Sequence, residues 1–305
     1  MIHPWDMALY RANAHMTSLL RRLLQKFAED GRPNLQKSIS IIWICYEGQN
    51  PSSSSGFGAC WLPKKLIYPA SLVKLIYACA VEDWLDKDLL VESSELRRAQ
   101  SDMIKHSSND ATSYIVDMLT GTTSGPSIKG FNWECWKQQR NIVNNWLKSF
   151  QFQELDLINC SQKTWNDGPY GREKDFYGDK NQNRNALTSL AVAKVLEGIM
   201  TSSFLSIKAT KKLRDLLSRS LDLVSRKADT ENQIDGFLGE GLPQGSQIWS
   251  KAGLMSEARH DAAWFITPKG SPTLLVVLCE GKVLAKDNYL LPSLADELSK
   301  WHLQK

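Results

Sequence analysis

No apolar run in this chain of 305 residues approaches the roughly 20 residues that a membrane-spanning helix needs, so membrane insertion is not expected. The first residues, Met1-Ile2-His3-Pro4-Trp5-Asp6, lack a basic region followed by an apolar stretch, and no signal peptide is read there. Neither sign of charge is in excess. The 37 basic and 33 acidic residues leave a net charge of +4, too balanced to call for nucleic acid or an anionic surface. Cysteine is sparse and unpaired in pattern. Cys45, Cys60, Cys79, Cys135, Cys160 and Cys279 form no C-x-x-C motif and mostly sit in apolar runs, so they read as buried free thiols. The five histidines show no H-x-x-x-H or H-x-H spacing, and no metal site is expected. Repeats and low-complexity segments are also missing.

What is present is enough chain for one large or two ordinary domains. Periodicity predicts an amphipathic helix over 7–30, with Leu19, Leu20, Leu23, Leu24 and Phe27 on its apolar side. A buried strand over 38–46 and a second over 59–62 form a hairpin around a Ser- and Gly-rich turn. The middle is helical, with candidates over 95–105, 109–119, 131–150, 188–200 and 207–221. Trp133, Trp136 and Trp146 fall in one segment there, and the helical spacing of Trp133, Trp136, Val143, Leu147 and Phe150 favours core packing over a ligand groove. A polar but aromatic-studded loop spans 159–185. Strands over 247–255, 260–267 and 273–280 and a helix over 291–302 close the chain. This order predicts an α+β fold: a five-stranded antiparallel sheet flanked by the terminal helices, with an all-helical lobe inserted. Residues 1–68 and 220–305 would form the sheet lobe and 69–219 the helical lobe.

The most informative stretch runs from Tyr68 to Val81. It reads as a helix apolar on almost every side, and such helices are buried. Yet it carries Lys74, with the hydroxyl of Ser71 three residues before it. Residues i and i+3 share a helix face. Burial disfavours the charged ammonium, and a nearby helix N-terminus pushes the same way. A neutral amine beside a hydroxyl is a general base beside a nucleophile. The same residues also describe a core helix whose lysine snorkels to the surface.

Two further motifs follow in order. Ser107-Ser108-Asn109 opens a predicted helix, where Ser and Asn also serve as plain caps. Ser250-Lys251-Ala252-Gly253-Leu254 lies on a predicted strand, where a glycine can mark close approach to backbone. Ser-x-x-Lys followed by S-D-N-like and K-T-G-like elements resembles the class A β-lactamases and their penicillin-binding relatives. Gly241-Leu242-Pro243 and Asn183-Arg184-Asn185-Ala186-Leu187-Thr188 look like the same family, and the resemblance covers nearly the whole chain.

The resemblance implies roles by position. Ser71 would be acylated, with Lys74 taking its proton. Ser107 would pass a proton to the leaving nitrogen, and Asn109 would bind a substrate amide. Lys251 would receive the substrate carboxylate. The backbone N–H groups of Ser71 and Leu254, next to Gly253, would form the oxyanion hole. No cofactor is implied. The substrate would be a small β-lactam or a cell-wall peptide, the protein a monomer, and its compartment the periplasm.

Three departures stand out. Ser108 replaces the usual Asp. Ala252 replaces the usual Thr or Ser, and Arg259 is a candidate to compensate by pairing with the carboxylate. The E-x-x-L-N loop of class A enzymes is missing, which leaves Glu173 as the candidate base for deacylation, or a solvated loop charge. Without that base the ester would persist, as in a penicillin-binding, sensor or D-Ala-D-Ala carboxypeptidase-like protein.

Overall fold

The structure, a computed structural model, describes residues 9–301; the expected start of the first helix at Met7 and the end of the last at His302 lie outside them. Contacts divide the chain into two units, 1–72 with 188–305, and 73–187.

The first unit is built on a sheet of β1 (Arg11–Ala12), β2 (Ile39–Cys45), β3 (Phe57–Trp61), β4 (Ser218–Arg219), β5 (Gln247–Met255), β6 (Ala258–Ile266) and β7 (Thr273–Glu280), in the order β1-β3-β2-β7-β6-β5-β4. The expected five antiparallel strands form its centre, but the sheet has seven. β1 joins β3 in parallel, and β4 joins β5 antiparallel at Ser218↔Trp249 and Arg219↔Ile248. Two-residue strands carry no alternation that a sequence pattern can register.

Strand alternation sends Ile41, Trp43, Ala263, Phe265, Leu275 and Val277 to one face. There they meet the apolar stripes of two helices. One is Ala14–Glu29, with Met16, Leu20, Leu23, Leu24 and Phe27 buried; the other is Leu290–Ser299, with Leu291, Leu294 and Leu298 buried. The first starts where Asn13 accepts a hydrogen bond from the Met16 N–H at 3.0 Å. The helix Ser189–Met200 packs against β2, β6 and β7. Its Ala191, Val192, Val195, Leu196 and Ile199 are all buried, as an apolar helix requires. This packing puts residues 188–219 with the sheet, where 69–219 was expected to be one helical lobe.

The second unit centres on the helix Val73–Asp86, buried along most of its length. It packs against Ser94–Lys105 and Asn109–Thr120. The predicted 131–150 helix is two helices, Gly130–Arg140 and Ile142–Ser149, broken at Asn141. Trp136 and Trp146 are buried in the core, and the half-buried Trp133 stacks on Trp136 at its margin. Within the 159–185 loop lies one short helix, Arg172–Tyr177. None of the six cysteines is in a disulfide; Cys45, Cys79, Cys160 and Cys279 are buried as expected, while Cys60 and Cys135 are half-buried. No helix among the described residues is long and apolar enough to cross a membrane, and none of their His, Cys, Asp and Glu side chains cluster as a metal site.

Candidate active site

Ser71 lies in a 3-10 turn, Ala70–Leu72, that runs directly into the helix Val73–Asp86. Ala70 has φ 46°, a left-handed backbone that a side chain resists. Such strain persists where the surroundings over-determine it, and here the sheet does. A Cβ added at Gly253 would lie 2.8 Å from the Pro69 carbonyl oxygen and 3.2 Å from the Ser71 nitrogen. The strand β5 therefore approaches the Ser71 turn at a distance only glycine permits.

A second support comes from His260, which stands opposite Gly253 in the β5–β6 ladder. Its Nδ1 accepts the Cys279 N–H at 3.0 Å, so the ring proton sits on Nε2 and is donated to the Tyr68 carbonyl at 2.8 Å. Burial holds the ring neutral, with its pKa lowered to about 4. His260 thus ties the segment ahead of Ser71 to the sheet.

Lys74 is 0% exposed. Its ammonium donates to the Ser107 carbonyl, to Asn109 Oδ1 at 2.9 Å and, at 3.4 Å, to Ser107 Oγ. Ser107 has φ 56°, a left-handed turn between the helices Ser94–Lys105 and Asn109–Thr120 that aims its carbonyl at Lys74. The acceptors are a carbonyl, an amide and a hydroxyl, none of which carries a charge to hold the proton. Burial pushes the Lys74 pKa down to about 7. Ser108 caps the helix by accepting the Ala111 N–H at 3.1 Å, so a serine suffices where Asp is usual. Three predicted residues, Lys74, Ser107 and Asn109, are therefore brought together.

Lys251 is 1% exposed. Its ammonium donates to Gln233 Oε1 at 2.6 Å and to the Ala252 carbonyl at 2.7 Å. Arg259 does not join it. In the β5–β6 ladder Arg259 stands opposite Leu254 and Lys251 opposite Ala262, and the pleat sends Leu254 and Lys251 to opposite faces. The Arg259 guanidinium instead donates to the carbonyls of Ala285 and Gly236 and to Asn288 Oδ1 at 2.6 Å, over the Phe237 ring. It pins loops and leaves Ala252 uncompensated.

Glu173 is not a solvated loop charge. It is 0% exposed and takes a two-pronged pair from Arg140 at 2.9 and 2.6 Å. Ser124 donates to it at 2.9 Å and Lys163 stands 3.6 Å away. A loop side chain that reaches the Lys74 group is Asn166, whose Oδ1 accepts from Asn109 Nδ2 at 2.6 Å. Asn166, His260 and Gln233 escaped the sequence reading.

A sequence profile of the beta-lactamase enzyme family matches residues 92–301. No curated protein matches the chain. Among solved structures, the extended-spectrum beta-lactamase TLA-1 shares 15% identity over 95% of this chain and 99% of its own, with a TM-score of 0.66. A beta-lactamase from Chitinophaga pinensis shares 15% identity over 92% of this chain and 98% of its own, with a TM-score of 0.62. A PBP-A variant, solved as an acyl-enzyme complex with penicillin-G, shares 13% identity over 97% of this chain and 98% of its own, with a TM-score of 0.64. At these identities the likeness is one of fold.

Proposed function

The chain belongs to the beta-lactamase enzyme family, and from that premise we propose that it is a serine hydrolase acting on a β-lactam or related amide through a Ser71 ester. The Ser71 hydroxyl attacks the amide carbonyl as its proton passes to the Lys74 amine. The N–H groups of Ser71 and Leu254 receive the negative oxygen. The C–N bond breaks as Ser107 delivers its hydroxyl proton to the leaving nitrogen and takes in return the proton held on Lys74, whose amine lies 3.4 Å from the Ser107 Oγ. Water then cleaves the ester and restores the hydroxyl. Asn109 and Lys251 receive the substrate's amide and carboxylate. The observation that carries this reading is Lys74: a buried amine, three residues after a serine at a strained turn, with a pKa near neutrality. Such a base can take a hydroxyl proton at physiological pH.

One observation favours a second reading. The Glu173 carboxylate is spent on Arg140, and an amide, Asn166, meets Asn109. Without a carboxylate to activate water the ester would last, as in a penicillin-binding or sensor domain or a D-Ala-D-Ala carboxypeptidase acting on other substrates. The PBP-A variant caught as a penicillin-G acyl-enzyme has this fold.

Intact-protein mass measurement after exposure to benzylpenicillin tests both. The expected result is one adduct on the wild type, mapping to Ser71, and none on folded Ser71→Ala. Decay of the adduct within seconds favours the hydrolase, and persistence over hours the binding protein. An adduct on another residue would overturn the assignment.

A further inference from the structure

Gln233 has no place in the family motifs, yet its side chain meets one of them. It is 6% exposed, and its Oε1 accepts both the Lys251 ammonium at 2.6 Å and the Ala252 N–H at 3.1 Å. The strand geometry explains why a side chain is needed here. β4 covers β5 only at Ile248 and Trp249, while β6 pairs with the whole of β5 on its other side. The Ala252 N–H therefore points off an edge that β4 does not reach, and a buried backbone donor must find an acceptor. Gln233 supplies it, and the same oxygen holds Lys251.

Ala252 is also where the motif lacks its hydroxyl. We infer that Gln233 is the positioning residue that sets the Lys251 ammonium for an anionic acyl donor. The inference rests on the reading of Ser71 as the acylated residue. Chemically, the choice of an amide matters. A neutral oxygen orients the ammonium without cancelling its charge, so the cation stays able to attract a carboxylate. A carboxylate in the same place would neutralise it.

The test compares acylation of Ser71 by benzylpenicillin and by its uncharged methyl ester, followed by intact mass, at a series of concentrations. The readout is the acid-to-ester ratio of acylation efficiencies. Gln233→Met keeps the volume and removes the acceptor. It is expected to lower that ratio about tenfold, the scale of one hydrogen bond to a charged group. The loss should come through a higher half-saturating concentration of the acid and not through the limiting rate. Gln233→Glu keeps both acceptor bonds, so it guards against a folding defect in the first variant. It is expected to lower the ratio about a hundredfold, because it neutralises the cation. A ratio unchanged in Gln233→Glu, or both reagents slowed alike in it, would overturn the inference while leaving Ser71 acylation intact. A wild type acylated by neither reagent would overturn the reading of Ser71, and the inference with it.

Discussion

At the scale of the residue, Lys74 and Glu173 show how environment decides role. Both are fully enclosed, yet one faces neutral oxygens and the other a guanidinium. Burial alone disfavours a charge, so Lys74 is readily neutral. The acylation rate is therefore expected to rise with pH through about 7, as the amine loses its proton. Lys74→Arg stays protonated at every accessible pH, and stopped-flow acylation of that variant should fall by at least about 10². A wild-type rate would move the base elsewhere. Glu173 is ion-paired instead, and breaking a buried pair from one side typically costs about 3–5 kcal/mol. Glu173→Gln should lower the unfolding free energy, read by urea titration, by a comparable amount and leave the lifetime of the Ser71 ester near wild type. A stable variant with a trapped ester would restore Glu173 as the base that activates water.

At the scale of the element, the Ser71 turn is set by its neighbours in the sheet. Gly253 lets β5 approach it, and His260 ties Tyr68 down. Gly253→Ala must push the Pro69 carbonyl or the Ser71 amide aside, since the new atom would lie 2.8 Å from the former. Acylation should fall about 10²-fold, the scale of losing one oxyanion donor, while circular dichroism stays unchanged. Acylation at the wild-type rate would show that the turn tolerates displacement. These elements also mark the limits of what the chain discloses. The long helices and the five central strands were legible because each carries a sustained apolar period: Leu20-Leu24-Phe27, Ile39-Ile41-Trp43, Leu275-Val277. The break at Asn141 was not, because the apolar spacing runs on through it. Nor were β1 and β4, two residues each. The grouping of Lys74 with Ser107 and Asn109 could be expected from ordered motifs. The partners of Arg259 and Glu173 could not, because tertiary neighbours far along the chain choose them: Asn288 for one, Arg140 for the other.

At the scale of the whole molecule, buried titrating groups make stability depend on pH in opposing directions. His260 is neutral when folded, its pKa lowered from 6.5 to about 4. Its contribution is full above 6.5 and is lost as pH falls through about 4. Asp261 is the reverse. Burial raises its pKa from 3.8 to about 7, so its contribution is present below 3.8 and lost as pH rises through about 7. Asp261→Asn can keep the acceptor for the Leu238 N–H, now at 3.0 Å, without ever ionising. Its stability relative to wild type should therefore increase between pH 4 and pH 8, measured by denaturant titration at each; a flat difference would mean that Asp261 stays charged throughout. The outer strands carry one more consequence. An open sheet is a template onto which another chain can add backbone bonds, and the hazard grows with the length of its unpaired rails. Here both borders end in two-residue strands, β1 and β4. Among the described residues each shields two positions of the strand it borders, Phe57 and Gly58 on β3 and Ile248 and Trp249 on β5, and so shortens the rail that a foreign ladder could extend.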